Sequence, residues 1–150
     1  MINPADIRQL ARQYEQPMVA FLRDLIAIPS ESSQERAVIE RIRRELDASG
    51  AYDDVRVDGM GNLLARYGSG PRVIAIDAHV DTVGIGDRSA WAHDPYQGKI
   101  EDGFVYGRGA GDQEGAIAPM VYAGRIMKEL GIRTDEWTLL LAFTVQEEDC

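Results

Sequence analysis

The sequence predicts an α/β domain with a mostly parallel, mixed sheet flanked by helices, and three observations carry that expectation. Two continuous apolar runs, Val73 to Ala78 and Leu139 to Val145, have the length and branching of buried strands. Each runs out at its C-terminal end into imidazole or carboxylate side chains, His79 and Asp81 in the first case and Glu147, Glu148 and Asp149 in the second. Between them lies a helical pattern behind the glycine-rich turn Gly107-Arg108-Gly109-Ala110-Gly111-Asp112. Strand ends that present polar groups at a common edge describe the crevice where open α/β sheets bind ligands.

The remaining elements follow in chain order. From about Ala5 to Ile28, Ile7, Leu10, Tyr14, Met18, Phe21, Leu25 and Ile26 recur at helical spacing, and Pro17 predicts a kink or break. Pro29-Ser30 ends that stretch. Ser32-Ser33-Gln34-Glu35 reads as a capping box, from which Val38, Ile42 and Leu46 carry a helix to Gly50. Arg41, Arg43, Arg44 and Glu45 on that helix read as a solvated face. Val55 to Val57 and Asn62 to Tyr67 suggest paired strands around Gly59-Met60-Gly61, and Gly84 to Tyr96 a loop. Lys99 to Tyr106 reads as a hairpin turning at Asp102-Gly103, followed by a helix from about Gly115 to Leu130 that stops at Gly131. Met120, Tyr122 and Met127 belong to its core-facing side, and Trp137 anchors the edge of the last strand.

Composition places the chain among folded globular proteins and excludes several partners. Its 150 residues are 45% hydrophobic and 27% charged, enough to bury one core. A net charge of −9 disfavours nucleic acid and anionic membrane as partners. The single cysteine, Cys150, rules out an internal disulfide framework and makes the cytoplasm the default compartment. The chain opens on no signal-type segment, and no apolar run approaches the roughly 20 residues of a membrane span. There is no repeat, low-complexity tract or linker.

The His79-Val80-Asp81 pair carries the chemistry. Residues two apart on a strand face the same side, so an imidazole and a carboxylate reach one site. Imidazole nitrogen is a good Zn²⁺ ligand, and a carboxylate on its other ring N–H fixes tautomer and orientation. A strand-end His beside a chance Asp is the bland alternative for this tripeptide alone. Asp112 and the Glu147-Glu148 pair, at the ends of successive elements, argue against it. Adjacent Glu147 and Glu148 would point to opposite faces of a regular strand, so they serve one site only if the strand ends there and the chain turns.

At these residues the chain resembles the M20 metallopeptidase family, which includes glutamate carboxypeptidase, succinyl-diaminopimelate desuccinylase, acetylornithine deacetylase and the aminoacylases. The matching pieces are Leu25-Ile26-Ala27-Ile28-Pro29-Ser30 with Glu35 behind it, His79-Val80-Asp81-Thr82-Val83, Trp91 with Asp94-Pro95-Tyr96, Asp102 through Ala110 leading to Asp112, and Glu147-Glu148. The wording around His79, Gly109 and Thr144 is similar to a bacterial subgroup of hydrolases linked by name to selenium metabolism. The resemblance implies that His79 binds one metal, Asp112 bridges two, Glu148 binds the other, Asp81 orients His79, and Glu147 is the general base. It also implies two divalent ions, Zn with Co or Mn as alternatives, and a cis peptide after Asp112. The implied activity is hydrolysis of an amide or peptide C–N bond in a small polar substrate, with a homodimer compatible with the full-length protein.

Two departures from the family pattern qualify this. Glu114 stands where the family commonly has a Lys, and its simplest role is to open the following helix, where the N-terminal dipole favours a carboxylate. A further acidic ligand and a late His are expected downstream of Glu148 and have no counterpart here. Residues 1–150 therefore read as the N-terminal part of a catalytic domain, without a lid or dimerisation domain, expected to bind metal weakly and to turn over nothing alone. A non-catalytic metal-binding remnant or interaction fragment is the alternative. Asp149 reads as a solvated acid, His93 as a loop residue at the cleft rim, Tyr96 as a loop anchor, and Arg108 as holding its turn rather than an anion.

Overall fold

In the computed structural model, which describes residues 2–133 and 135–149, the amphipathic N-terminal stretch is two helices, α1 (Pro4–Gln13) and α2 (Glu15–Ile26). Pro17 lies in the first turn of α2. It has no N–H for the Gln13 carbonyl, and its ring would crowd that carbonyl in a continuous helix. The break therefore falls at Tyr14, ahead of the proline rather than at it. Asn3 caps α1 by accepting the Ala5 N–H at 3.0 Å.

The next helix, α3 (Arg36–Ser49), ends at Gly50, whose φ of 56° is left-handed. The expected capping box does not form. Glu35 itself is the N-cap residue and no side chain caps the helix. The Ser32 hydroxyl goes instead to Asp81 Oδ2 at 2.7 Å, and the Glu35 carboxylate accepts the Ser33 and Gln146 N–H groups. The solvated-face expectation fails for Arg41 and Glu45. Arg41 bridges Asp24 and Glu45, both at 3.0 Å, with its guanidinium 4.6 Å from the Phe21 ring centre. Glu45 in turn accepts the Tyr122 hydroxyl at 2.7 Å.

Six strands follow among the described residues: β1 (Asp54–Val57), β2 (Leu63–Gly68), β3 (Arg72–His79), β4 (Lys99–Glu101), β5 (Phe104–Tyr106) and β6 (Trp137–Thr144). The last helix, α4 (Glu114–Glu129), lies between β5 and β6. The mixed, helix-flanked sheet has the order β1-β2-β6-β3; β3 with β6 is its parallel pair, and β1 with β2 and β2 with β6 are antiparallel. Leu63, Ala65 and Tyr67 sit opposite Phe143, Leu141 and Leu139. All six are buried on the face that the helices cover, together with Phe21, Leu25, Ile42, Leu46, Ile117 and Val121. Trp137 stacks on Tyr67 at the sheet end, as its anchoring role predicts.

The expectation of a fully buried strand at Val73 to Ala78 is corrected. Val73, Ile74 and Ile76 are 60%, 54% and 44% exposed, while Ala78 and His79 are buried. As an edge strand β3 has a single strand partner in the sheet, and cover reaches only its C-terminal end. That covered end is the one that carries His79. The β4–β5 hairpin turns at Asp102 and Gly103, both at positive φ.

Candidate metal centre

Because β3 and β6 are parallel neighbours, their C-terminal ends release the chain at the same edge. His79 is in register with Thr144, and the Val80 N–H donates to the Thr144 carbonyl at 2.8 Å. Ser30 pins the exit from β3: its hydroxyl donates to the Val80 carbonyl at 3.0 Å, and its own carbonyl accepts the Thr82 N–H. Asp112 arrives from the turn in front of α4, where Gln113 Oε1 accepts the His79 N–H at 3.3 Å.

His79 is 4% exposed, and its ring nitrogens face two different acceptors. Nδ1 lies 2.9 Å from the Asp81 carbonyl oxygen. A carbonyl only accepts, so Nδ1 carries a proton and a neutral ring keeps its lone pair on Nε2. Nε2 lies 3.0 Å from Asp112 Oδ1 and 3.8 Å from Glu147 Oε2. Two acceptors facing each other at this distance call for a cation, either a proton on the imidazole or a metal ion. Burial alone would lower the His79 pKa, but the Asp112 hydrogen bond, the Asp81 carbonyl and the Glu147 and Asp112 charges outweigh it and raise the value.

The expected contact between the Asp81 carboxylate and His79 takes a different form. The backbone carbonyl of Asp81 fixes the ring, whereas its nearest carboxylate oxygen is 3.6 Å from Nδ1, beyond a good hydrogen bond. The fully buried carboxylate accepts from Ser32 Oγ at 2.7 Å, Glu147 N at 3.1 Å and Glu148 N at 3.0 Å. Burial would raise the Asp81 pKa, yet these three donors hold it below the ordinary carboxylate value. Asp81 is thus the seat of the glutamate turn.

The strand-register difficulty for Glu147 and Glu148 disappears because β6 stops at Thr144. Gln146 takes φ 60°, its N–H donates to Glu35 Oε1 at 3.1 Å, and its amide donates to Ser33 Oγ at 2.7 Å. Past this turn Glu148 joins His79 and Asp112, with one donor atom from each within 4.8 Å of the others. Imidazole nitrogen with two carboxylate oxygens is a donor set that suits Zn²⁺, Co²⁺ or Mn²⁺. The residues present therefore fit a divalent ion.

The neighbouring residues divide clearly. The Asp112-Gln113 peptide is cis. Glu114 does open α4, but it is also 1% exposed, its Oε2 has no hydrogen-bond partner among the described residues, and burial pushes its pKa up to about 8. The Arg108 side chain reaches out of its own turn to the Gly84–Tyr96 loop, donating to the Gly84 carbonyl at 3.2 Å and lying over the Trp91 ring. His93 is engaged by Lys99 and Glu101, and Asp149 is exposed and outside the three-residue cluster. Cys150 lies outside the described residues. Sequence reasoning assigned Ser32 and Glu35 to a helix cap and so missed their roles under Asp81 and Gln146. The signal for Glu35 was its place among the matching pieces of the M20 resemblance.

With this geometry in hand, comparison with known proteins adds identity. A family model described as peptidase family M20/M25/M40 matches residues 75–150. The chain is 53% identical over 144 residues to the uncharacterized protein YgeY of Escherichia coli strain K12, covering 96% of this chain and 35% of that protein. It is 39% identical over 109 residues to the succinyl-diaminopimelate desuccinylase of Cereibacter sphaeroides strain ATCC 17029, covering 70% and 28% respectively. The chain spans about a third of the length of the curated relatives it matches. Among solved structures it superposes on the di-peptidase Dug1p of Saccharomyces cerevisiae with a TM-score of 0.83 at 21% identity, over 97% of this chain and 35% of the other, a likeness of fold.

Proposed function

The chain belongs to peptidase family M20/M25/M40, and from that premise we propose that it carries the metal-binding part of a hydrolase that cleaves an amide or peptide C–N bond in a small polar substrate. The convergence of His79, Asp112 and Glu148 within 4.8 Å is the observation that supports this best. His79 and Glu148 would each hold one divalent ion and Asp112 would bridge the pair, with zinc the first candidate and cobalt or manganese the alternatives. When bound, such ions polarise a carbonyl and lower the pKa of water.

The protein side of the chemistry is then specific. The Asp81 carbonyl keeps His79 in the tautomer whose Nε2 can ligate. The Asp81 carboxylate holds the backbone of Glu147 and Glu148, so that one glutamate is a ligand while its neighbour stays beside the site. Glu147, whose Oε2 is 3.8 Å from His79 Nε2, would act as general base, taking a proton from the attacking water and passing it to the departing nitrogen. The net charge of −9 supports a small-molecule substrate over nucleic acid or anionic membrane. No helix among the described residues is long and apolar enough to cross a membrane. A cytoplasmic location rests on the single cysteine alone, and a homodimer is compatible with the full-length protein.

The test is Glu147→Gln beside Asp112→Ala in the metal-loaded full-length protein, assayed on N-acyl amino acids, dipeptides, carbamoylated amino acids and simple esters. Glu147→Gln should keep its metal and lose turnover by about 10²-fold or more, the scale of a general base. Asp112→Ala should lose both. Near-normal turnover in Glu147→Gln removes Glu147 as the base. Activity confined to esters overturns the C–N assignment, and no metal-dependent turnover at all favours a non-catalytic metal-binding protein.

A further inference from the structure

Beside the turn that leads to Asp112 lies a cavity of about 270 Å³, walled by Trp91, Val105, Tyr106, Gly107 and Ala110, with Ala92, His93 and Asp94 along its edge. Whole small-molecule sites occupy roughly 300–1,000 Å³, so this space suits a single side chain rather than an entire ligand. Its position is tied to the metal cluster by covalent geometry. One residue separates Ala110 from Asp112, so the Cα atoms of the two are at most roughly 7 Å apart.

The chemistry of the cavity follows from where its polar groups are spent. His93 Nδ1 lies 3.3 Å from Lys99 Nζ, and its Nε2 lies 3.3 Å from Glu101 Oε2. Lys99 only donates and the Glu101 carboxylate only accepts, so both ring nitrogens are committed to β4. Asp94 accepts from Arg88 and from the Tyr96 N–H at 3.0 Å. What remains on the walls is mainly aromatic and aliphatic carbon, with the Tyr106 hydroxyl as the polar exception. A charged group entering past the edge would lose water while gaining few partners from these walls, a cost of several kcal/mol in general when none is gained.

The walls are also fixed in advance. Trp91 donates its indole N–H to the Ile85 carbonyl at 2.8 Å, and the Arg108 guanidinium lies 5.0 Å from the centre of the same ring system. His93 meets Tyr106 edge-on at 5.0 Å. Arg108 N–H donates to the Pro95 carbonyl at 2.8 Å, which ties the turn that leads to Asp112 to the Trp91–Tyr96 loop. A Cβ added at Gly107 would lie 2.5 Å from Ile26 Cγ2, so that side of the cavity is already closed against α2.

We propose that this cavity is a specificity pocket that receives one uncharged, apolar side chain of the substrate, on a residue flanking the bond to be cleaved. The proposal rests on the hydrolase reading above. It adds selection by size and charge, set by Trp91, Val105 and Tyr106, to a site whose metal ligands are indifferent to side chains.

The test uses the metal-loaded full-length protein and dipeptides in which each position in turn is Gly, Leu, Phe, Asp or Lys. At one of the two positions the wild type should prefer Leu or Phe over Asp and Lys by about tenfold or more in kcat/KM, the scale of burying a few methylenes in a pocket. Val105→Phe, which narrows the cavity, should lower the Leu-to-Gly ratio of kcat/KM about tenfold. Tyr106→Ala, which widens it, should raise the Phe-to-Leu ratio. A wild type indifferent to side-chain charge and size at both positions overturns the pocket while leaving the hydrolase reading intact. Equal ratios in wild type and in both variants, with metal content and melting preserved, overturn it as well. A wild type that hydrolyses no substrate in metal-loaded form sinks the hydrolase reading, and the pocket with it.

Discussion

The carboxylate of Asp81 holds Glu148 by its backbone, with Oδ2 accepting the Glu148 N–H at 3.0 Å while the Glu148 side chain remains available to the metal cluster. The same residue turns its backbone carbonyl to His79 Nδ1. One buried residue thereby joins the end of β3 to the glutamate turn after β6, adding to the strand ladder that places His79 beside Thr144.

Replacing Asp81 by Asn keeps the shape but halves the acceptor capacity, and it sets an amide N–H against donors from Ser32, Glu147 or Glu148. Loss of a charge-assisted hydrogen bond and one unsatisfied buried donor should cost about 2–3 kcal/mol. Urea denaturation of the metal-free protein measures it. Zinc affinity should fall in the same variant although Asp81 is not itself in the ligand cluster. A variant with unchanged stability and affinity would show that the glutamate turn holds itself.

Glu114 makes stability depend on pH in a direction opposite to that of most carboxylates. Burial raises its folded pKa from 4.5 to about 8, so between these values the folded state holds a proton that the unfolded state has released. Stability must then decline as pH rises through this window and level off above it, by an amount on the order of a few kcal/mol. Glu114→Gln cannot titrate and should lose that part of the decline. Denaturation of both forms at pH 4.5 and pH 8.5 compares them, and parallel pH profiles would mean that Glu114 is ionised at neutral pH.

Much of this was legible in the sequence because local rules and tertiary structure agree. The β1–β2 and β4–β5 hairpins, α4, β3 and β6 follow from turn residues and apolar runs. Other features depend on partners distant in sequence. Ser32 looks like a helix cap until Asp81 is beside it, and Arg41 looks solvated until Asp24 and Phe21 arrive from α2. The exposure of Val73, Ile74 and Ile76 reflects the place of β3 at the sheet edge, which an apolar run cannot reveal. Likewise the break at Tyr14 is the effect of Pro17 on the preceding turn, displaced from the residue that causes it. The matching pieces of the resemblance fall at the C-terminal ends of β3 and β6 and at the turn into α4, which the fold brings together.

As a ligand, His79 would give metal binding a pH dependence with a definite sign. A protonated imidazole cannot ligate, and the residue's pKa in the metal-free protein lies above its ordinary value of 6.5. Proton competition should therefore set in at a higher pH than for an isolated imidazole, and zinc affinity should fall about tenfold per pH unit below the raised pKa. Calorimetric titration across pH 5.5 to 8.5, in buffers of different ionisation enthalpy, should show proton release on binding. An affinity flat across that range would mean that His79 is not a ligand.

The most direct measurement is the metal content of the full-length protein after zinc loading and exhaustive dialysis, by inductively coupled plasma mass spectrometry. Wild type and Glu147→Gln should retain two ions per chain, whereas His79→Ala, Asp112→Ala and Glu148→Ala should each lose metal, with Asp112→Ala losing most because it removes a ligand shared by both ions. Full zinc content in a triple variant lacking His79, Asp112 and Glu148, folded by circular dichroism, would contradict the assignment of this cluster as the metal centre.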